Sequence, residues 1–512
     1  MNRHQLHTKT LAVGLTLGLI LPQAAVFAAT PATDTGTDND DSVQIETAGE
    51  KLASASIPAP VPPVRVRATQ EENPNASGTV LSGNITNNVE LLSKQILQDE
   101  IKLQRFNLAF RVNAAQQGRW KGWRYFFSQE GNLALTEAGI IVTVTERGEH
   151  LHDDQTKKNS TNKLANDGTL LGAIGQTLAG FGSATELGIN EYHAIQAQRN
   201  GYGSKEARNT AVKLVADIDQ KLAARERLIK EQPAADKEQA ELQEYEGKVL
   251  ADFRDLALAE FERYHIGAKK TLAQQNSFYV LDMVKNTSGV IGSFFIMHSI
   301  LRAKRQYNIT GGVFNTVSGF MIALDPVLSR VVAKCVEHAD KKNLEEHGLP
   351  MVWERQVKLE DDYGRFCKFC ENHQVKDRPE LSRVVARLEA YDANHAYITN
   401  ELQRNERTLR RGNRTAVQNM GTGLLVGSTK IANGVLTIVP GALYAHDGIR
   451  TNNFIFAANV AYLPGVTYGL LDNIRIQTQR EFQRSKQIKN HEAPNQIIKS
   501  RLDQLNSIEK KL

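Results

Sequence analysis

Residues 415–445 read TAVQNMGTGLLVGSTKIANGVLTIVPGALYA, a stretch in which Lys430 is the only charged side chain. Charged residues make up 23% of the protein, so a given uncharged window of about twenty residues has a chance probability of roughly 0.4%. Four further uncharged segments lie at 168–185, 286–301, 308–324 and 451–471. So many uncharged segments are not accidental, and they decide what kind of fold the chain can form.

Glycine recurs within these segments at intervals that place it on one face of a helix. The clearest sets are Gly168, Gly172, Gly175 and Gly182; Gly289 and Gly292; and Gly423, Gly427 and Gly434. Because glycine has no side chain, it lets another helix approach closely, as in membrane-embedded or tightly packed bundles. The segments therefore predict apolar helices that contact one another through glycine.

Two environments suit such helices, a lipid membrane and a buried protein core. Most of the segments are about 16–21 residues long, which is marginal for a hydrocarbon core about 30 Å thick. If 286–301 and 308–324 both crossed a bilayer, the basic loop 302–305 would lie opposite the basic stretch that ends at Arg414. That arrangement conflicts with the positive-inside tendency. Both alternatives therefore stay open at the level of sequence.

Between the apolar segments, charged sequence carries hydrophobic residues at helical spacing. Seven of the fourteen prolines precede residue 85, so the remainder of the chain can form long helices. The apolar positions are Val89, Ile96, Leu103 and Phe110; Val215, Ile218, Leu222 and Ile229; Leu242, Val249, Phe253 and Leu256; and Leu381, Leu388, His395, Leu402 and Leu409. Seven-residue spacing is typical of coiled coils and long bundles. We expect a mainly α fold in which long coiled-coil-like helical hairpins alternate with Gly-rich apolar helical hairpins.

One region departs from this pattern. Residues 119–147 contain a cluster of aromatic residues, followed by the β-branched run GIIVTVT at 139–145. Such residues favour strands, and Gly131 with Asn132 would supply a turn. The sequence therefore predicts a small β-hairpin near 119–147.

The N-terminal region has the features of an export signal. A basic start, an apolar run and Val26-Phe27-Ala28 are typical of a signal peptide over residues 1–28. Residues 29–85 are rich in Pro, Thr and Asp and predict a disordered linker. We therefore expect an exported protein of the cell envelope, located in the periplasm, in a membrane or at the cell surface.

The remaining chain divides into four predicted parts. They are 86–190, a helix plus the small β element and the first apolar segment; 191–335, a helical hairpin plus an apolar hairpin; 336–472, a Cys/His-containing coiled-coil segment plus an apolar hairpin; and 473–512, a basic C-terminal helix. The repeated order of charged helix and apolar hairpin indicates a duplication, although Gly and Pro punctuate many helical hairpins.

All three cysteines fall close together and suggest a metal site. Cys335 and His338, and Cys367 and Cys370, form two pairs in which two residues separate the members. Three thiolates and an imidazole are a ligand set for tetrahedral Zn²⁺. The alternatives are a Cys367–Cys370 redox pair and cysteines that serve only packing. A structural zinc ion is the only cofactor that the sequence suggests.

Familiar catalytic motifs are absent from the sequence. Gly203-Ser204 is preceded by Tyr202, so the first glycine of a G-x-S-x-G elbow is out of place, and no H-E-x-x-H occurs. The glycine-rich stretch before Lys430 has the wrong order and spacing for a phosphate loop. These absences favour a non-enzymatic protein, and a net charge of only +5 argues against a nucleic-acid partner.

The function that fits best is a non-enzymatic envelope protein that associates with membrane, or with itself, through its apolar helices. Its partners would be lipid, an envelope protein or further copies of the chain. The predicted lipid-headgroup contacts are Arg404, Arg407, Arg410 and Arg411. Two alternatives remain: a helical pore-forming or membrane-remodelling effector, and a Cys/His zinc-dependent sensor or enzyme.

Overall fold

The structure is a computed structural model. In the part of the chain that it describes, the residues form long α-helices. That part comprises residues 78–114, 119–151, 161–231, 237–302, 304–349, 356–375 and 382–512, and it contains no strand. The ten helices are α1 (Gly78–Ala114), α2 (Arg119–Glu149), α3 (Thr161–Arg199), α4 (Ser204–Glu231), α5 (Lys237–Arg302), α6 (Tyr307–Glu346), α7 (Gln356–Asn372), α8 (Ser382–Leu443), α9 (Gly448–Lys489) and α10 (Pro494–Lys511). The expectation of a mainly α protein is confirmed.

Part of the chain packs as a conventional helical bundle, which we call the charged bundle. It consists of α1, α4, α7 and α10, the N-terminal halves of α5 and α8, and the C-terminal end of α6. Apolar residues at helical spacing, among them Ile96, Leu103, Val249, Phe253 and Leu388, fill its core. Burial of each large apolar side chain contributes about 1.5–3 kcal/mol, so this core stabilises the bundle in the usual way.

The other part consists of six helices in a closed cycle, which we call the six-helix ring. Its members are α2, α3, α9 and the segments 270–302 of α5, 307–333 of α6 and 415–443 of α8. Around the cycle α2 contacts α3, α3 contacts α5, α5 contacts α6, α6 contacts α8, α8 contacts α9, and α9 contacts α2. All the uncharged segments of the sequence lie in this ring.

Three helical hairpins build the ring, and their tips meet at the end away from the charged bundle. The Arg305 guanidinium at the α5–α6 tip donates to the Ala445 carbonyl at the α8–α9 tip, at 3.1 Å. The Asn452 amide at the start of α9 donates to the His150 carbonyl beside the α2–α3 tip, at 2.9 Å. The opposite ends of the hairpins continue into, or connect to, the charged bundle.

The predicted β-hairpin near 119–147 is wrong, because this region is the helix α2. Leu133, Ile140 and Val144 follow a helical interval and pack against Tyr462 and Val466 of α9. Local preference for strand is thus overridden by packing between helices, which makes the β-branched run one face of a helix.

The beginning of α1 differs from the predicted end of the linker. Helix α1 begins at Gly78, within the stretch assigned from sequence to the linker 29–85. The predicted signal peptide, and the linker up to residue 77, lie outside the described residues.

Candidate functional site: a six-helix ring with a polar interior

The outer surface of the six-helix ring is apolar. Apart from Leu91, every large hydrophobic side chain that the structure describes as exposed lies on a ring helix. Examples from different helices are Ile141, Phe181, Phe294, Phe320 and Leu471. Monomeric soluble proteins rarely expose contiguous apolar surface on this scale.

The interior of the same ring is polar, the reverse of a soluble core. Each ring helix contributes polar or charged side chains that are at least nine-tenths buried. One from each helix in turn is Gln129, Ser183, Asp282, Asp325, Lys430 and Asp472. The apolar cluster between α2 and α9 that includes Ile140 is small by comparison. A polar inside with an apolar outside is the arrangement that a bilayer favours and water does not.

Side chains from non-adjacent helices meet across the ring around Asp282. Helices α2 and α5 both flank α3, yet the Gln129 amide of α2 donates to the Asp282 carboxylate of α5 at 2.9 Å. The Ser183 hydroxyl of α3 and the Asn286 amide also donate to this carboxylate, and Lys285 pairs with it. The charge of Asp282 is therefore fully compensated, as a carboxylate buried this deeply requires.

Asp325 and Lys430 are not compensated in this way. Within the described residues, the Oδ1 atom of Asp325 is buried without a hydrogen-bond donor. The ammonium of Lys430 lies 5.8 Å from the centre of the Tyr462 ring, and no described carboxylate comes within ion-pair distance of it. Because an uncompensated buried charge is costly, such groups either bind a polar partner such as water or an ion, or become neutral.

Helices α6 and α8 approach each other through glycine. A Cβ atom on Gly434 would lie 2.6 Å from the Thr316 backbone nitrogen and 2.7 Å from the Gly312 carbonyl oxygen. A Cβ on Gly319 would lie 2.7 Å from the Ile431 nitrogen. The predicted role of the glycines is thus visible at the backbone, where no other residue fits without separating the helices.

The apolar exterior has a length that suits a bilayer. On α6 the exposed apolar side chains run from Val313 to Val332, a distance of about 28 Å at the usual helical rise. The hydrocarbon core of a bilayer is about 30 Å thick. Within this length of α6, Asp325 is buried and Arg330 is half-buried against Met420 of α8. The outer face of α6 therefore carries an uncharged band.

Two helical stretches also meet the criteria for a membrane span by length and composition alone. They are Val417–Leu443 and a stretch within Gly448–Lys511, with 39% and 33% of their most apolar windows buried. A core helix of a soluble protein would be mostly buried. By itself this finding is weak evidence, but both stretches belong to the six-helix ring.

Aromatic and basic side chains surround the end of the ring that adjoins the charged bundle. Trp120 at the start of α2 and Tyr192 near the end of α3 are 61% and 63% exposed. Of the predicted headgroup contacts, Arg407 and Arg410 are exposed, and Arg404 lies 4.0 Å from Glu401. The side chain of Arg411 lies outside the described residues. Aromatic and basic residues at this level are typical of a membrane–water interface.

The predicted zinc ligands lie on two helices, α6 and α7. Cys335 and His338 are exposed on α6, whereas Cys367 is half-buried and Cys370 is buried in the core of the charged bundle. Among the described residues, no three His, Cys, Asp or Glu side chains converge in a way that could hold a metal ion. The His373 ring stacks on Phe369. The zinc site stays a prediction.

Comparison with known proteins gives no match. No family model matches the chain, and neither the curated proteins nor the solved structures contain one that is significantly similar.

The sequence did not single out the interior residues Asp282, Lys285 and Asp325. Each is an isolated charge at the edge of, or just outside, an uncharged segment, and such charges commonly mark the end of a buried helix. The sequence feature that could have identified them is their spacing relative to the apolar residues, which places them on the opposite face of the helix.

Proposed function

We propose that the protein is an integral membrane protein of the cell envelope, and that the six-helix ring spans the bilayer. The observation that carries the proposal is the inverted polarity of the ring, with exposed apolar side chains outside and buried charges inside. In this arrangement the charged bundle lies on one face of the membrane and the three hairpin tips lie on the other. Trp120, Arg407 and Arg410 contact lipid headgroups on the bundle face.

Export fits this location. The predicted signal peptide directs the chain to the envelope, where the ring inserts. N-terminal sequencing of the purified protein tests this step, and a mature chain that begins at Ala29 supports it.

Membrane fractionation tests the central proposal. Membranes from producing cells are washed with alkaline carbonate, and the protein is followed by antibody. Retention until detergent is added supports insertion of the ring. Release by carbonate would contradict it, and size measurement of the released protein would then show whether further copies cover the apolar surface.

Cysteine labelling tests the two-sided topology. In a variant with Cys335, Cys367 and Cys370 replaced by serine, a single cysteine is introduced at Lys304 on a tip or at Lys230 on the charged bundle. Both positions are exposed. In sealed vesicles of one orientation, a membrane-impermeant maleimide labels one position and reaches the other only after detergent. Equal labelling of both positions in intact vesicles would exclude a span.

A second candidate function, a hydrophilic path through the ring, is favoured by the uncompensated charges of Asp325 and Lys430. The side chains of the interior are buried, so the path is closed in this conformation. A pore-forming or transporting protein of this kind would open it. Polar residues on facing membrane helices are characteristic of ion and solute pathways.

A further inference from the structure

Three side chains from three helices form a linear hydrogen-bonded chain at the junction of the charged bundle and the ring. The Ser204 Oγ atom, at the start of α4, lies 2.9 Å from Nε2 of His265 on α5. The Nδ1 atom of His265 lies 2.8 Å from Oδ2 of Asp340 on α6. This is the order and spacing of a hydroxyl nucleophile, a general base and an orienting carboxylate.

The imidazole is fixed in place. The His265 side chain is 1% exposed and stacks against Phe110, with ring centres 5.8 Å apart, and against Phe261 at 5.5 Å. Asp340 is buried behind it, whereas Ser204 is partly exposed. Ser204 is thus the member of the chain nearest to solvent, and His265 and Asp340 are shielded from it.

The Asp340 carboxylate orients the His265 imidazole toward the Ser204 hydroxyl. Burial favours the neutral acid, but the hydrogen bonds and charges of His265 and Lys269 outweigh it and hold the pKa of Asp340 below its ordinary value. An ionised carboxylate only accepts hydrogen bonds, so Nδ1 carries the ring hydrogen. Nε2 then faces the Ser204 hydroxyl at hydrogen-bond distance. The Ser204 carbonyl oxygen, 3.1 Å from Nε2, is placed to accept a hydrogen bond from Nε2 after that atom has taken the hydroxyl proton.

The backbone around the hydroxyl offers a place for developing negative charge. Ser204 is the first residue of α4, and the N–H groups of Lys205 and Glu206 have no carbonyl partner within the helix. Gly203 lies beside the Glu206 carboxylate, which a Cβ on residue 203 would approach to 2.3 Å. This carboxylate opposes negative charge, so an uncharged ester fits the site better than an anionic substrate, and the two N–H groups must offset the carboxylate in the transition state.

We propose that Ser204, His265 and Asp340 form a hydrolytic site that cleaves neutral carboxylic esters. Oγ of Ser204 attacks the ester carbonyl carbon as its proton moves to Nε2 of His265. The bond to the alcohol then breaks, and the alcohol leaves with that proton. Water repeats the sequence on the acyl-serine, so the products are the acid, the alcohol and free Ser204. Asp340 is a positioning residue, because it orients the imidazole without touching the substrate.

This activity goes beyond the proposed membrane function and departs from the non-enzymatic expectation. The three residues are far apart in sequence and follow none of the contiguous nucleophile motifs. Only the packing of α4 against α5, and of α5 against α6, brings them together.

Covalent labelling of the full-length purified protein with a fluorophosphonate probe tests the proposal. Attack of Oγ on phosphorus displaces fluoride and leaves a stable phosphonyl-serine, which peptide mass spectrometry locates. We expect labelling at Ser204, loss of that label in Ser204→Ala, and retention in Ser500→Ala, which removes an exposed serine of α10. Wild-type protein that is not labelled, or Ser204→Ala protein that is labelled equally, would overturn the proposal.

Variants of His265 and Asp340 test the general base and the positioning residue separately. His265→Gln abolishes labelling, and Asp340→Asn slows it and moves the midpoint of its pH profile, each at an unchanged melting temperature. Should either variant fail to fold, the comparison of Ser204→Ala with Ser500→Ala still decides the outcome. Hydrolysis of a p-nitrophenyl ester by the same variants provides the turnover measurement, and turnover unaffected by Ser204→Ala would also contradict the site.

Discussion

At the scale of single residues, buried ionisable groups differ in how fully their partners compensate them. In the charged bundle, Glu246 is surrounded by cations and donors: Arg387 lies 2.7 Å from one carboxylate oxygen, and Arg225 lies 3.2 Å from the other. The hydroxyls of Ser93 and Tyr391 donate to the same carboxylate. In the ring, Asp325 and Lys430 lack such partners among the described residues. Glu246 is therefore the buried carboxylate whose partners can be tested most directly.

Replacing Glu246 should therefore destabilise the charged bundle strongly. The change Glu246→Gln leaves two buried guanidinium groups without their counter-charge, and we expect a loss of about 3–5 kcal/mol in the free energy of unfolding. Denaturant unfolding in detergent measures it. The matched control is Glu244→Gln on the same helix, whose exposed pair with Lys248 contributes at most about 0.5 kcal/mol. Equal effects of the two changes would contradict the buried network.

The lowered pKa of Glu246 predicts that the free energy of unfolding depends on pH. Burial by itself would raise the pKa of Glu246, but Arg387 and Arg225 lower it to about 2. Since the folded pKa lies below the unfolded value, the stabilisation is complete above about pH 4.5 and is lost as the pH falls toward 2. The difference in unfolding free energy between wild type and Glu246→Gln should shrink over that interval. A constant difference would show that the carboxylate charge is not responsible.

The cysteines allow a direct test of the zinc prediction. Because no three potential ligands converge among the described residues, we expect purified protein to contain far less than one zinc ion per chain by elemental analysis. We also expect Cys335→Ser, at an exposed position, to leave the melting temperature unchanged. Stoichiometric zinc that Cys335→Ser removes would instead establish the site and require α6 and α7 to rearrange.

At the scale of elements, glycine sets how closely α6 and α8 pack. Replacing Gly434 with leucine places a side chain against the backbone of α6, so the two helices must separate. We expect Gly434→Leu to lower the free energy of unfolding by about 1–3 kcal/mol or more, seen as a lower melting temperature in detergent. Gly421→Leu is the control on the same helix, because a Cβ there meets nothing within 4 Å. Leucine is the better helix former, so an equal loss of stability from both changes would show that the close contact of Gly434 with α6 is not responsible.

At the scale of the whole molecule, three hairpins with shared tips enclose the polar interior. If this interior conducts ions when it opens and water enters, Lys430 is an amine on the path that has no described carboxylate partner and becomes positively charged on hydration. We expect Lys430→Gln to lower anion permeability relative to cation permeability several-fold in reconstituted vesicles. Lys304→Gln, at a hairpin tip, provides the control for charge outside the ring. Vesicles that contain wild-type protein and show no ion flux under any driving potential would exclude the path.

The sequence alone was sufficient for the helical class, and its uncharged segments mark five of the six helices that form the ring. Uncharged stretches such as 415–445 and glycines such as Gly434 can be read from neighbouring residues alone. What they predict is also local, namely a helix with a face that carries no large side chains. The same local reasoning failed for α2, where strand-forming residues pack at the helical interval of Leu133, Ile140 and Val144. It also left open whether the apolar segments face lipid or a protein core, since composition is the same in both.

Only the tertiary structure decided which side of each helix is inside. The sequence determined that the chain would be mainly helical, with apolar hairpins joined by glycine and charged helices that bury regular apolar positions. Closure of six helices into a ring placed Asp282, Asp325 and Lys430 in the interior and Phe320 on the outer surface. Likewise, the packing of α4 against α5 brought Ser204 to His265, 61 residues further along the chain. These relations join helices distant in sequence, and their physical cause is packing between elements, which no local periodicity encodes.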